Sequence, residues 1–280
     1  MIKAQFKKSH YPECIKYDEL DLTEGCSVKC GYCGLSSEKY SQKLDIEKIL
    51  TEKSDAEGIY LSPNSDPFTK TATDNAHKIL ERFLPERKKI LIITKNEIPI
   101  HTVELISEYK RQVFVQISIS RCDDNINKYI EPGAASSNQR LDTIKSLASR
   151  GIKVAAILMP LFPTVDDTED KLSILVKKCA DSGAQHIKAA YVIINPNEKE
   201  KIERLERHPL LKIAYKNMTE DIAIHIGNGR IAPLEKRIKL YHTLEKFAAI
   251  NKIKFIACPV LDPIIYKNNF EITCCNFYKK

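Results

Sequence analysis

Glu24-Gly25-Cys26-Ser27-Val28-Lys29-Cys30-Gly31-Tyr32-Cys33-Gly34 sets three thiols within eight residues, at intervals of four and three. Three thiolates this close can take three corners of an iron–sulfur cube and leave the fourth iron open. A zinc site would want a fourth ligand at paired spacing, such as a second Cys-x-x-Cys or a His pair, and none stands nearby. Gly25, Gly31 and Gly34 let the backbone wrap closely around such a group. The alternative is three buried or free thiols with no common partner. The loop follows an apolar run, Lys16–Leu22, that reads as the first strand of the fold.

Outward from it the pattern repeats: short apolar run, loop, amphipathic segment. Further strands are expected at Gly58–Leu61, Lys89–Thr94, Val113–Ser118, Lys153–Met159 and His186–Ile194. They are rich in Ile, Val and Leu with few polar interruptions, as in parallel strands covered on both faces. Helices are expected at Asp45–Glu52, Thr73–Leu84, Thr102–Lys110, Asn138–Arg150 and Thr168–Ser182, the last two closed by Gly151 and Gly183. Six such units make an α/β fold, a partial (β/α)6 barrel over residues 1–195, short of the eight repeats of a closed barrel. Residues 196–280 hold helical pieces (Ile202–Lys216, Pro233–Ala249) and one more apolar run, Ile253–Cys258. No linker precedes them, so they read as a C-terminal α/β cover segment of the same domain. The working face of a β/α barrel is at the carboxyl ends of its strands. The loops there are Thr23–Gly34, Ser62–Phe68, Thr94–Asn96, Ser118–Cys122, Pro160–Pro163 and Asn195–Asn197.

Composition bounds the rest. The chain has 280 residues, Lys+Arg 44 against Asp+Glu 37, and is 43% hydrophobic and 29% charged, which excludes wholesale disorder. No stretch approaches the roughly 20 apolar residues of a membrane span. The opening Met1-Ile-Lys-Ala-Gln-Phe-Lys-Lys has no apolar core, so a cytoplasmic protein is expected. Nine cysteines, an odd and uneven set, argue against a secreted disulfide scaffold. The charge of +7 is spread along the chain and does not single out nucleic acid.

The Cx3Cx2C loop, with Tyr32 before its last cysteine, resembles the radical S-adenosylmethionine superfamily. Such a resemblance implies a 4Fe–4S cluster whose open iron takes the amino and carboxylate groups of S-adenosyl-L-methionine. It also implies one-electron cleavage of the sulfonium to a 5′-deoxyadenosyl radical, with a flavodoxin- or ferredoxin-type electron donor. Ser62-Pro-Asn-Ser-Asp66-Pro-Phe, Ile93-Thr-Lys95, Ile117-Ser118-Ile-Ser120, Glu131-Pro-Gly-Ala and Gln139-Arg140-Leu141 are similar in order and spacing to the spore photoproduct lyase-like branch, over roughly residues 20 to 195. The resemblance implies that Ser65 and Asp66 meet the cofactor's amino group, Lys95 its carboxylate and Ser118 its ribose. Tyr32 and the Leu158–Pro160 backbone, with Met159 at its centre, would line the adenine. Each has a plainer reading: Asp66 as turn chemistry, Lys95 as a solvated strand end, Ser118 as an ordinary strand residue, and Arg140 as a surface or ion-pair residue.

One departure bears on substrate. Lyases that repair the thymine photodimer carry a cysteine just before the Ser-Asp pair, and here the stretch is Ser62-Pro63-Asn64. Cys122, after the fourth strand, and Cys258, before Pro259, are the thiols left as hydrogen-atom donors. Cys258 with Cys274 and Cys275 could alternatively hold a second cluster. Cys179 shares helical spacing with Leu172, Leu175 and Val176 and reads as core. Tyr191, Asn195, His225, Asn228 and Asp262 are polar groups placed late enough to reach a substrate, each with a structural role as its alternative. The expected substrate is a small nucleobase-like molecule. Queuine, cleaved to 7-aminomethyl-7-deazaguanine, is the best candidate, and Asp262 or Asn228 would read its guanine-like edge. The competing expectations are a radical enzyme acting on DNA or RNA and a non-enzymatic iron–sulfur regulator.

Overall fold

The structure is a computed structural model that describes residues 2–9, 17–33, 42–224, 227–258 and 262. β1 (Lys7–Lys8) runs antiparallel to β2 (Tyr17–Leu20), and β3 (Thr23–Glu24) pairs with β4 (Gln42–Lys43). After α1 (Glu47–Thr51) the chain alternates through β5 (Gly58–Leu61), α2 (Thr73–Phe83), β6 (Lys89–Thr94), α3 (Ile100–Glu108) and β7 (Val113–Ser118). It continues with α4 (Asp124–Ile130), α5 (Ser137–Ser149), β8 (Lys153–Leu161), α6 (Glu169–Asp181) and β9 (His186–Tyr191). Then come α7 (Lys199–Glu206), α8 (Pro209–Lys216), the antiparallel pair β10 (Glu220–Ile224) and β11 (Gly227–Ile231), α9 (Leu234–Ile250) and β12 (Lys254–Ile256).

The main sheet has the order β1-β2-β5-β6-β7-β8-β9-β12, parallel from β2 onward. The α/β fold and the six expected strands are present. The run at Ile253–Cys258 supplies one strand more, because β12 pairs in parallel with β9 (Phe255 opposite Ile187) and continues the sheet. All six residues of β7 are buried, since helices cover one face and side chains fill the other. On the outer face Ile90, Ile92, Val115, Ile117 and Ile187 pack against Ile79, Leu80, Ile106, Ile144 and Val176 of the helices. Each such side chain contributes roughly 1.5–3 kcal/mol on full burial. The inner face is closed by Tyr17, Leu91, Phe114 and Ala155.

Local differences from expectation have identifiable causes. The helix expected over Ile202–Lys216 is two helices, because Pro209 cannot donate to the first and starts the second. β8 runs on to Leu161 with a register shift after Leu158, where Pro160 sits at a point that needs no N–H donor. β9 stops at Tyr191, and Ile194 instead bridges Arg230. α4 is an addition to the expected helices; Asp123 caps it, its carboxylate accepting from the Asn125 and Ile126 backbone N–H groups. α5 starts on a capping box of Ser136 and Gln139, and Gly151 (φ 73°) closes it in the left-handed conformation that glycine alone adopts cheaply. Among the described residues no helix is long and apolar enough to cross a membrane.

Candidate active site

The cysteine loop leaves β3 and is fastened to the β7–α5 connection by backbone bonds. Gly31 N–H donates to the Ile130 carbonyl at 2.7 Å, and Gly133 N–H to the Val28 carbonyl at 3.0 Å. Position 133 must be glycine for this approach, since a Cβ there would lie 2.3 Å from the Ser27 carbonyl oxygen. Cys30 is buried, and Cys26 and Cys33 are partly exposed. Burial pushes the Cys30 thiol up to about 12, with Lys95 opposing and Glu131 adding to the rise. Burial also raises Cys26, and the charges of Asp66 and Cys33 add to it. The same interactions show that the loop faces the ends of β5 and β6, where Asp66 and Lys95 stand.

Those strand ends form one hydrogen-bonded network. Asp66 accepts the Phe68 N–H at 2.9 Å, the Thr94 hydroxyl at 2.8 Å and the Lys95 N–H at 2.7 Å. Its carboxylate thus has about one acceptor direction left for a ligand. The Lys95 ammonium donates to Ser118 Oγ at 2.6 Å, and Ser118 donates to the Met159 carbonyl at 2.9 Å. The ends of β5, β6, β7 and β8 and the loop after β3 are therefore drawn together, with Cys26, Cys30, Tyr32, Asp66, Lys95, Ser118 and Met159 among them. Ser65 lies on the same turn, its buried hydroxyl without a partner among the described residues.

Sequence reasoning gave no role to the residue at the centre of this network. Glu131 is fully buried; one oxygen accepts from the Tyr32 hydroxyl at 2.5 Å and stands 3.8 Å from the Lys95 ammonium. The other oxygen accepts from Arg140 at 2.7 Å. Arg140 also donates to the Ala135 and Ser118 carbonyls, so of the two expectations for it, surface residue or ion pair, the structure shows the ion pair, and a buried one. Burial alone would raise the Glu131 carboxyl, but the cations Lys95, Arg140 and Arg121 outweigh it and hold it at about 2. Burial, then the charge of Glu131, pushes the Tyr32 phenol well above its ordinary range. Arg121, at the end of β7, was likewise missed. It forms a two-pronged pair with Asp166 (2.9 and 2.8 Å), donates to Asn127 and the Pro160 carbonyl, and lies over the Phe162 ring, which meets Tyr32 edge-on. The available signal was a charged residue directly after an apolar strand on the working face.

The Glu131 carboxyl makes stability depend on pH. In the unfolded chain it titrates near 4.5, in the folded chain at about 2. Its contribution is complete above 4.5 and is lost as pH falls through that window, on the order of 3 kcal/mol. Thermal melts of the full chain between pH 2 and 6 should show this loss, and Glu131→Gln should remove that part of the acid dependence.

The remaining candidates lie elsewhere. The thiol of half-buried Cys122 neighbours Cys179 on the helical side, and burial raises both. Cys258 is buried just past β12, near Tyr241. Tyr191 sits in the outer core and donates to Asp167 at 2.7 Å. Asn195 accepts the Asn197 N–H in a local turn, and Asn228 is exposed on β11. The Asp262 carboxylate, buried, accepts from Arg237 at 2.5 Å and from the Tyr241 hydroxyl at 3.0 Å. His225, Cys274 and Cys275 lie outside the described residues.

The Radical SAM superfamily description matches residues 20–175. ORF301 of Acidianus two-tailed virus is 32% identical over 132 residues, 46% of this chain and 44% of that protein, so the match spans less than half of that relative's length. MJ0683 of Methanocaldococcus jannaschii is 25% identical over 183 residues, 60% of this chain and 70% of that one. Spore photoproduct lyase, solved with AdoMet and dinucleoside spore photoproduct, superposes with a TM-score of 0.70 at 15% identity, over 90% of this chain and 78% of that chain. At that identity the likeness is one of fold. The sequence match, by contrast, takes in more than half of the chain, and it establishes that the chain belongs to the radical SAM superfamily, whose members use a 4Fe–4S cluster and S-adenosylmethionine.

Proposed function

We propose that this chain is a radical lyase acting on a small, polar, nucleobase-like molecule held inside the barrel. The observation that carries it is the network joining the Cys26–Cys33 loop to Lys95, Ser118 and Glu131. The donor set suits the cofactors: three thiols on one loop, the charge of Cys33 felt at both Cys26 and Cys30, and buried hydroxyls of Ser62, Ser65 and Ser120 that have no partner among the described residues. Bound there, the cluster and S-adenosylmethionine would supply a 5′-deoxyadenosyl radical able to take a hydrogen atom from substrate. Cys26, Cys30 and Cys33 would hold three irons. Ser65 and Asp66 would take the amino group, Lys95 the carboxylate and Ser118 the ribose, with Tyr32 and Met159 beside the adenine. Phe162, Val165 and Ile194 pack behind Tyr32 and keep water from that side.

Support for a polar substrate comes from the inner face, where Glu19, Gln116 and Lys188 are buried and Lys188 donates to Gln116 at 3.2 Å. Queuine has no support among the relatives and enters only as one member of a substrate panel. A nucleic-acid substrate is the second reading, favoured by the dinucleoside held in the similarly folded lyase. Cys122 and Cys258 remain the proposed hydrogen-atom donors, and a cytoplasmic flavodoxin- or ferredoxin-type protein the proposed reductant.

The test is anaerobic: reconstituted full chain, dithionite, S-adenosylmethionine, and queuine, deazaguanines, nucleosides or dinucleotides in turn, read by mass spectrometry. 5′-Deoxyadenosine release stimulated by a nucleobase or nucleoside supports the proposal. Stimulation by dinucleotides alone transfers it to the second reading. A loaded cluster that releases no 5′-deoxyadenosine with any of them overturns both.

A further inference from the structure

We propose that the side-chain amide of Asn96 is a second donor to the carboxylate of S-adenosylmethionine, beside Lys95. This rests on the cofactor reading above. Asn96 follows Lys95 just past the end of β6 and belongs to the same network. Its N–H donates to the Thr94 hydroxyl at 2.9 Å, and that hydroxyl donates to Asp66 at 2.8 Å. Its side-chain oxygen accepts the Ala135 N–H at 3.2 Å. A backbone N–H is satisfied only by an acceptor, so this bond fixes which way round the amide lies. The amide nitrogen, Nδ2, is left buried with no partner among the described residues. Nearly all buried donors in folded proteins have an acceptor, and an unpaired one costs free energy that a bound acceptor restores.

Such a donor takes an oxygen acceptor, and the neighbouring residue supplies the charge for an anionic one. The Lys95 ammonium has three donors, spends one on Ser118 at 2.6 Å and stands 3.8 Å from Glu131. A carboxylate brought out of water has about four acceptor directions, so one ammonium does not satisfy it. Part of the Lys95 charge is also answered by Glu131. A neutral amide one residue along adds a donor without adding a second cation. The bond from Ala135 gives that amide its direction. The same Ala135 N–H also reaches the Lys95 carbonyl at 3.2 Å, so the connection before α5 keeps a tie to the end of β6 when the Asn96 side chain is removed.

The experiment measures equilibrium binding of S-adenosylmethionine to the reconstituted full chain without reductant, so that no turnover intervenes, with iron content checked for each variant. The second probe is decarboxylated S-adenosylmethionine, which lacks only the carboxylate. Asn96→Ala is expected to weaken binding of S-adenosylmethionine about tenfold, the worth of one hydrogen bond to a charged group. Asn96→Asp keeps the acceptor for Ala135 but puts a negative charge where the donor was, and is expected to weaken binding roughly a hundredfold. Neither variant should change binding of the decarboxylated probe by more than about threefold. Equal weakening of both ligands in Asn96→Ala overturns the proposal, because the side chain then serves only to hold the loop. So does wild-type affinity in Asn96→Asp, and this variant decides the matter if the decarboxylated probe binds too weakly to read. A wild-type chain with a full cluster that binds no S-adenosylmethionine overturns the cofactor reading itself.

Discussion

Cys30→Ala is expected to abolish reductive cleavage of S-adenosylmethionine, lowering 5′-deoxyadenosine formation at least a thousandfold while the chain remains folded. Cys30 is the buried member of the triplet, and desolvation holds its thiol at about 12 despite Lys95 nearby. Metal binding at that point releases the proton, so the thiolate comes with the cluster. Two partly exposed thiols cannot replace the third corner, so iron and sulfide should fall below one cluster per chain. The substitution leaves a small volume behind, and the backbone bonds that hold the loop, Gly31 to Ile130 and Gly133 to Val28, do not involve the side chain. Far-ultraviolet circular dichroism should therefore match the wild type. A Cys30→Ala protein that still binds a full cluster and forms 5′-deoxyadenosine would show that the loop is not the cluster site.

The main sheet could be read from local patterns because parallel strands buried on both faces leave a continuous apolar run. Gly58–Leu61, Lys89–Thr94 and Val113–Ser118 stand in the structure with the limits expected. What was not legible depended on partners distant in sequence. β12 is three residues long and becomes a strand of the main sheet only because β9 offers an unpaired edge. α4 is seven residues long, and its start is set by the Asp123 cap rather than by a periodic apolar face. In the site, the cysteines, Asp66, Lys95 and Ser118 carry chemistry that short motifs display. Glu131 was quoted within its motif, yet its role comes from Tyr32, 99 residues away in the chain, and from Arg140 on a helix whose inward face sequence alone did not reveal. Asp262 shows the converse: a polar group that a sequence offers to substrate, placed here against Arg237 and Tyr241.

The largest stability effect is expected at Arg121. Its guanidinium is 5% exposed and its pair with Asp166 is closed by two short bonds, with Asn127 and the Pro160 carbonyl taking further donors. Arg121→Met would leave the Asp166 carboxylate buried with, among the described residues, only the Phe162 N–H as a close donor. Breaking a buried pair from one side costs about 3–5 kcal/mol, because the remaining charge is uncompensated. For a chain of this size that lowers the melting temperature by roughly 6–15 °C. Asp166→Leu should cost a similar amount by stranding the cation. The double variant should be more stable than the sum of the singles predicts, since neither charge is then left alone. Activity should follow a different order. Arg121 lies over Phe162, which braces Tyr32 beside the cluster loop, so restoring the charge balance does not restore that support. The double variant should recover melting temperature without recovering S-adenosylmethionine cleavage. If both recover together, the pair serves stability alone and the contact through Phe162 does not reach the site.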